Sequence, residues 1–541
     1  MTRTLKLIGN VTSIEWISPT LPDSTVFNNT WNDTYGLYYN VSFTNTSAID
    51  VCLINVNGTN YSMTLGKQYA YYSYPAASYG NYTASVYCNT TSGTGNASIE
   101  RSVYAEFCRE LTANYSMVGN ASTSGTCFNV TAANVTLSCQ GNKISWSAVA
   151  LGRGIEAWNA ENVSIENCIV QEAMWHNWDY GIYFENSNFG SVNNSTVNLF
   201  GVNGIATGIY LSRSQNVTLY NNTIFSPCAW EDVTAIYVNK SNYTQIVKNT
   251  ILGRSTLSIP AGIVFSESSY GTIYKNFLDI ADAAQYAAIF GDSNSVHNNV
   301  SFNIIPDGRI STYGDYTIIS DNELPNCGYE SWYGNGGCLS LFSSYNNVYN
   351  NDLGDPAGAI AVAMYINGSH NVIRNETLNR TGFEGVGVYI GGGGNNSFYD
   401  SIIGGIVTDI NVSTITSEEQ NFISCAFNKS KVLIDANGAI NVSWYVDVHT
   451  FTDAGADLAG AYVSIASVNG TSLLNATSNA TGWLATQTIL EYMQNATGVY
   501  NATPHYFNAS KTGYATNNTA SIISEDHRFN SVNRVLSRGL S

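Results

Sequence analysis

Positive charge is scarce in this chain. Lys and Arg together number 21 against 39 Asp and Glu, a formal net charge of −18, and only 11% of residues are charged at all. The few cations are scattered. No basic stripe exists to neutralise phosphates, so a nucleic-acid-binding role is excluded, and anionic membrane surfaces are disfavoured for the same reason. No run of 18 apolar residues occurs, so no segment reads as a membrane-spanning helix. The start, Met1 to Thr12, has neither a long apolar core nor a cleavage pattern, so a mature, secreted chain is expected. There are six His and few Asp, with no Asp-Asp pair, no Gly-His-Gly and no Asp-Pro-His. The ten Cys include no zinc-type pair of Cys-x-x-Cys motifs, which favours disulfides over metal. The expected cofactor is therefore none, and the expected metal none.

What is abundant is repetition. Gly/Ala-Ile pairs recur at Gly154-Ile155, Gly181-Ile182, Gly208-Ile209, Ala235-Ile236 and Gly262-Ile263, each step being 27 residues. Two apolar series run in phase: Ile165, Val192, Leu219, Ile246, Ile273, and Val170, Val197, Ile224, Ile251, Leu278. Asn222, Asn249 and Asn276 repeat at the same interval. Within each unit the apolar residues alternate over short runs, the period of strands. Such a unit, without a helical segment, is about one coil of a parallel β-solenoid, in which like residues stack inside. Asn at one corner of successive coils can form an amide ladder. A propeller needs about 40 or more residues per repeat and fits poorly.

About 36 Asn-x-Ser/Thr triplets occur, among them Asn10, Asn40, Asn81, Asn134, Asn162, Asn216, Asn367, Asn441 and Asn508. An Asn-rich chain yields many by chance, and Asn and Thr at solenoid turns account for part of them. Their density still reads as an N-glycosylated exterior protein.

Residues 1–108 read as an all-β domain of strands at about ten-residue spacing, with Asn57-Gly58 as a hairpin turn. The run Gly80-Asn81-Tyr82-Thr83 to Val86-Tyr87-Cys88 resembles the Ig-like modules of microbial surface proteins, and Cys52 and Cys88 are a natural pair within it. The run Thr126 to Asn142 opens a stretch, roughly residues 125–440 of an expected solenoid domain over 109–443, that resembles the right-handed parallel β-helix repeat family, in particular the glycosylated surface proteins common in archaea. That fold carries lyases, glycosidases, epimerases, adhesins and structural proteins alike, so the resemblance implies a fold more than an activity. Cys139 lies about one coil before Cys168, and the two either stack or bridge. Past Leu278 the period drifts. Ala287 to Phe290, Tyr316 to Ile319, Cys338 to Leu341 and Gly387 to Ile390 read as first strands, and the second series tightens to steps of 25 at Val348, Ile373 and Phe398. Cys327 and Cys338 flank a Gly- and aromatic-rich loop and are expected to staple it. In residues 444–541, the run Asp453 to Val463 with Leu458, Gly460 and Ala461 resembles the carboxypeptidase-regulatory-like β-sandwich, a spacer or contact module. The expected architecture is all-β: a right-handed parallel β-helix flanked by N- and C-terminal β-sandwich domains.

One edge of the solenoid offers candidate glycan contacts. Trp175, His176, Trp178 and Asp179 precede one first strand, and Trp230, Glu231 and Asp232 precede another two coils later, with Trp332 in the stapled loop further along. Aromatic faces beside acids suit sugar rings. In the plainer reading these side chains pack the loop bases against the coil wall. No residues are singled out as catalytic. Three functions stand: a non-enzymatic structural or adhesive glycoprotein of the cell surface that assembles with copies of itself into a filament, sheath or surface layer; a carbohydrate-active β-helix enzyme; and a glycan-binding protein. The first is preferred. Its partners would be its own copies, covalent N-glycans and surface polysaccharide, with no nucleic acid and no membrane span.

Overall fold

The computed structural model describes residues 11–16, 25–28, 37–45, 49–74, 80–91, 95–98, 100–106, 108–123, 125–146, 152–173, 179–199, 206–227, 233–254, 261–281, 287–325, 337–354, 362–379, 385–413, 418–435, 437–524 and 527–536. The chain divides into two compact units, residues 1–241 and 242–541.

The first unit opens with two sheets around one core. In the first, Val11–Trp16, Leu37–Asn45, Tyr69–Tyr74 and Thr64–Leu65 lie in that order; in the second, Thr25–Asn28, Arg101–Glu106, Gly80–Thr90, Ile49–Val56 and Thr59–Ser62. Alternate residues point inward, so Tyr39, Val41, Ile54, Val56, Ala70, Tyr82, Ala84 and Val86 form the core. The hairpin forms at Asn57-Gly58, both residues having positive φ, as a tight two-residue turn requires. Cys52 and Cys88 are bridged. They sit directly opposite each other on neighbouring strands, so the bond staples one sheet and does not join two.

From Arg109 the pairing becomes parallel. Arg109–Leu111, Phe128–Val130, Arg153–Trp158, Asp179–Glu185, Ala206–Ser212 and Val233–Asn239 stack as first strands, and second and third strands stack beside them. Register follows the sequence period: Ile155 on Ile182 on Ile209 on Ile236, Ile165 on Val192 on Leu219, and Val170 on Val197 on Ile224. All these side chains are buried. The recurring Gly has a steric cause. A Cβ on Gly208 would lie 2.6 Å from the Ala235 carbonyl oxygen and 2.8 Å from Ile224 Cγ2, and Gly181 is as tightly placed. The fold is thus a parallel β-solenoid. Two disulfides clamp its first coils. Cys139 and Cys168 are bridged, which resolves the choice between stacking and bridging, and Cys108–Cys127 is a bridge that spacing did not suggest.

The second unit continues the coil pattern with Ile263, Ile289, Ile310, Leu339, Met364, Val388 and Ile410 stacked in first strands. Val348, Ile373 and Phe398 stack in second strands at the expected steps. One expectation fails. Tyr316 to Ile319 does not supply a first strand: Ile310–Thr312 does, and Ile318–Ser320 pairs with Asn299–Ser301 in the second-strand sheet. The cause is a shortened coil, only 19 residues from Asn303 to Asn322. Beyond the coils, the long strand Ala439–Thr452 pairs with the coil strand Glu419–Ile423, then with Gln487–Asn495 and, in parallel, with His527–Leu536. A second sheet, Ser472–Thr477, Tyr462–Ala466, His505–Ser510 and Asn517–Ser521, shares its core of Val446, Val448, Val463, Ile465, Ile489 and Phe507. Glu491 locks this region to the last coil, accepting from Lys429 Nζ at 2.5 Å and Trp444 Nε1 at 2.7 Å.

The amide ladder is present and longer than the sequence signal. In the first unit Asn222 Oδ1 accepts from the Ser195 N–H at 2.9 Å. In the second, both the N–H and Nδ2 of Asn249 donate to Asn276 Oδ1, and the pattern passes through Asn303, Asn322 and Asn351. At the next coil Glu376 takes the place of Asn: its Oε1 accepts from Asn351 N at 3.1 Å and Nδ2 at 3.0 Å. A parallel ladder runs through Asn346, Asn371, Asn396 and Gln420.

Glu376 is almost wholly buried. Burial pushes its carboxyl up from 4.5 to about 8, against the pull of the Asn351 hydrogen bonds. A carboxyl raised on folding gives stability in its protonated state, and that stability is lost as pH rises from the ordinary value through the raised one. E376Q keeps a neutral acceptor at this place. The melting temperature of the natural chain should therefore fall relative to E376Q between about pH 5 and about pH 9, and parallel profiles would refute the assignment.

Candidate functional site

On the first strands of residues 1–241, the outward positions form columns of polar and aromatic side chains. Register aligns Glu156, Tyr183, Tyr210 and Tyr237 in one column, and Trp158, Glu185, Ser212 and Asn239 in the next. The tyrosine rings stack: Tyr183 on Tyr210 with centroids 5.4 Å apart, Tyr210 on Tyr237 at 5.2 Å. Arg153 closes the column, its guanidinium 3.8 Å from the Tyr183 ring centre and paired with Glu156. Tyr183 donates its hydroxyl to Glu185 Oε2 at 2.6 Å, and Arg213, from the following turn, pairs with Glu185 Oε1. Asn239 Nδ2 reaches the Tyr210 hydroxyl at 3.3 Å.

These contacts set the protonation states. Burial alone would raise the Glu185 carboxyl, but hydrogen bonds from Tyr183, Arg213 and Ser212 and the Arg213 charge hold it below the ordinary carboxylate value. Burial, and then the Glu185 carboxylate that accepts its hydroxyl, push Tyr183 well above the usual phenol range. Among the described residues of the patch, Glu156 lies against Arg153 and Glu185 against Arg213. The patch has hydrogen-bonding groups and, among the described residues, an exposed indole, Trp158, 48% exposed and with the Arg153 guanidinium 5.9 Å from its ring centre. Such a surface can hydrogen-bond neutral hydroxyls and stack on an apolar ring face. Glu185 cannot supply a proton as a general acid, because its proton is already gone.

The candidate contacts read from sequence fall unevenly on this face. Trp175, His176, Trp178, Trp230, Glu231, Asp232 and Trp332 lie outside the described residues. Asp179 is described and is a correction: it is wholly buried, and its Oδ1 accepts from the Gly152 N–H at 2.9 Å. A carboxylate used to fix a backbone turn is not offered to a surface ligand. Cys338 is disulfide-bonded, while Cys327 lies outside the described residues. Among the sequons, Asn10 and the side chain of Asn81 also fall outside, and Asn40 is half-buried. Asn134, Asn216, Asn367 and Asn508 are exposed. Asn162 is exposed too, but its Nδ2 donates to Asn134 Oδ1 at 2.8 Å, and Asn441 Nδ2 donates to Glu419 at 2.5 Å.

A second feature escapes a sequence reading. On residues 242–541 a ridge of rings climbs one outer turn: Tyr243, Tyr270, His297, Tyr316, Tyr345 and His370. Neighbouring centroids are 4.9–5.2 Å apart and ring planes are tilted by 5–15°. All six residues have φ between 58° and 60°, a left-handed conformation that bulky side chains rarely adopt. Ring stacking offsets that cost. Because each ring covers the next, the ridge shows rims and hydroxyls to solvent, and faces only at its ends. The Tyr183–Tyr210–Tyr237 column keeps the 27-residue step throughout, whereas the ridge keeps it only from Tyr243 to His297, which is why its full length does not show in the sequence.

Arg213→Ala leaves Glu185 with the Tyr183 hydroxyl and no cation. The expected result is a fall in melting temperature of no more than about 2–4 °C at pH 7. A carboxyl held low contributes stability above its ordinary value and loses it as pH falls, so the gap between R213A and the natural chain should close in acid. A gap that stays constant down to about pH 3 would contradict the role given to Arg213.

Residues 89–288 match the family described as periplasmic copper-binding protein (NosD). The match covers less than half of the chain, and the chain is similar to that family over those residues. No curated protein matches. Among solved structures, a family 28 exopolygalacturonase of Yersinia enterocolitica is 8% identical, over 78% of this chain and 98% of its own, with a TM-score of 0.28. The tailspike protein of Escherichia coli bacteriophage HK620 is 11% identical over 74% and 81%, with a TM-score of 0.32. The tailspike of Pseudomonas phage LKA1 is 11% identical over 95% and 82%, at 0.26. At such values no activity passes to this chain. The family's copper does not fit the described side chains either. Among them no three His, Cys, Asp or Glu converge, His297 and His370 are parted by two tyrosine rings, and Cys425 is buried with its thiol pushed up to about 12. Among the described residues no helix is long and apolar enough to cross a membrane.

Proposed function

We propose that this protein is a non-enzymatic structural glycoprotein of the cell exterior, of the archaeal surface type, that assembles with copies of itself. The observation that carries this reading is the fixed pairing on the first-strand face: Glu156 with Arg153, Glu185 with Arg213 and Tyr183. A glycosidase needs one carboxyl held protonated beside another that is ionised. The described acids of this face, Glu156 and Glu185, are held as paired struts of a wall. Disulfides at Cys52–Cys88, Cys108–Cys127 and Cys139–Cys168 support an oxidising compartment, and the periplasmic family similar over residues 89–288 points the same way.

The ends of the chain are read as contact modules. In residues 1–108, the order of strands and the parallel pairing of Thr25–Asn28 with Val103 to Glu106 support an Ig-like module. In residues 444–541, two sheets around the core at Val463 and Phe507 support a carboxypeptidase-regulatory-like module. Their edge strands, such as Thr59–Ser62 and Asn517–Ser521, offer pairing edges to a neighbouring copy. A second reading, passive contact with surface polysaccharide, is favoured by the exposed indole of Trp158 beside Glu185.

Native material taken from the cell surface and examined by electron microscopy tests the assembly. Ordered repeats joined through the terminal modules are expected. Monomers at every concentration, together with release of reducing ends from a polysaccharide panel, would overturn the reading in favour of an enzyme.

A further inference from the structure

The ring ridge stops at His370, and one coil later a sequon Asn, Asn395, takes over the same outer turn. Val372 pairs with Ser397, so two residues earlier His370 and Asn395 occupy the same corner of consecutive coils. The backbone agrees: φ is 59° at His370 and 56° at Asn395. Beneath them the buried amides of Asn371 and Asn396 are joined, which fixes both corners in register. Tyr345 covers one face of the His370 ring, at 4.9 Å and 15°. The other face looks along the axis towards Asn395. Asn395 is exposed and opens the triplet Asn395-Asn396-Ser397.

An outer turn of residues 1–241, taken by itself, shows the same choice. Asn134, Asn162 and Asn216 hold it in residues 1–241, all left-handed at φ 54–61°. Each of the three opens an Asn-x-Ser/Thr triplet. At this corner the chain places either a ring or a sequon Asn, with the single ring Phe189 among the three. The amide of Asn162 is engaged with Asn134 and that of Asn441 with Glu419.

We propose that Asn395 carries an N-linked glycan whose first sugar stacks on the open face of His370 and caps the ring ridge. The proposal rests on the glycoprotein reading above. Coils repeat at about 4.8 Å along the axis, the spacing of neighbouring strands, and the rings of the ridge follow it at 4.9–5.2 Å. A sugar ring on Asn395 Nδ2 starts one such step beyond His370, where the next ring of the stack would lie. Its apolar C–H face meets the imidazole, and its hydroxyls meet water. The attachment needs a lipid-linked glycosyl diphosphate as donor. Nδ2 forms the bond to the anomeric carbon, the anomeric C–O bond to diphosphate breaks, Nδ2 gives up one proton, and the lipid diphosphate leaves.

The test uses the full chain from a glycosylating host, read by glycopeptide mass spectrometry and thermal unfolding. S397A abolishes the sequon and leaves Asn395 in its turn. Sugar on the Asn395 peptide is expected, and H370A should lower the unfolding temperature more in the glycosylated chain than in the S397A chain. The expected excess is on the order of 1–2 °C, and H370Y should restore it. A bare Asn395 with Asn216 or Asn508 occupied would overturn this inference alone. No sugar on any sequon would overturn the glycoprotein reading with it. An occupied Asn395 with equal H370A effects in both backgrounds would overturn the stacking.

Discussion

The constraint on which this fold depends is the satisfaction of backbone groups at the corners of each coil. A strand passes its hydrogen bonds to the strands above and below, and some corner residues do the same, as the Tyr270 N–H does to the Val296 carbonyl at 3.1 Å, but others, such as the Asn249 N–H, find no carbonyl there and take a side-chain oxygen. A buried N–H left unpaired costs about 1–3 kcal/mol, and a solenoid multiplies that cost by its number of coils. The side-chain amide of Asn meets the need, because one oxygen accepts from the coil before while the nitrogen donates onward and to a carbonyl. Asn276 does all of this: it accepts from both nitrogens of Asn249, and donates to Asn303 and to the Ile246 carbonyl. Where Ser stands instead, as at Ser187, Ser214 and Ser241, the hydroxyl accepts from the preceding coil in the same way.

Fixed corners have consequences outside. Once coils are locked in register, whatever stands at one outer position stands above its counterpart. Rings become ridges and charges become columns. The left-handed turns at Tyr270 and His297 would be poor choices for an isolated loop, yet in a locked array each ring gains a neighbour on both sides. The same register sets Tyr183 and Arg213 where they can hold Glu185.

The legible part of this protein is the part where the period is constant. Gly181, Gly208 and Gly262 mark it because a side chain there would strike the next coil, and Ile182, Ile209 and Ile236 mark it because they stack. Asn222, Asn249 and Asn276 are readable as a ladder for the same reason. Legibility ends where coil length changes. The short coil between Asn303 and Asn322 moves Tyr316 from the expected first strand to an outer turn, and with it hides the ridge beyond His297. Asp179 misleads because an acid beside aromatics looks alike in sequence whether it faces solvent or a backbone turn; burial decides it. Cys139 and Cys168 cannot be assigned from spacing alone, since one coil of separation suits stacking and bridging equally.

Asn276→Ala, followed by hydrogen exchange coil by coil in the full chain, tests the central claim most directly. If the corner amides hold the stack, exchange should quicken by at least about tenfold in the mutated coil and also in both neighbours, at residues 245–254 and 299–307. Faster exchange confined to residues 272–281, or no change at all, would show that strand pairing and the apolar core hold the solenoid without the ladder.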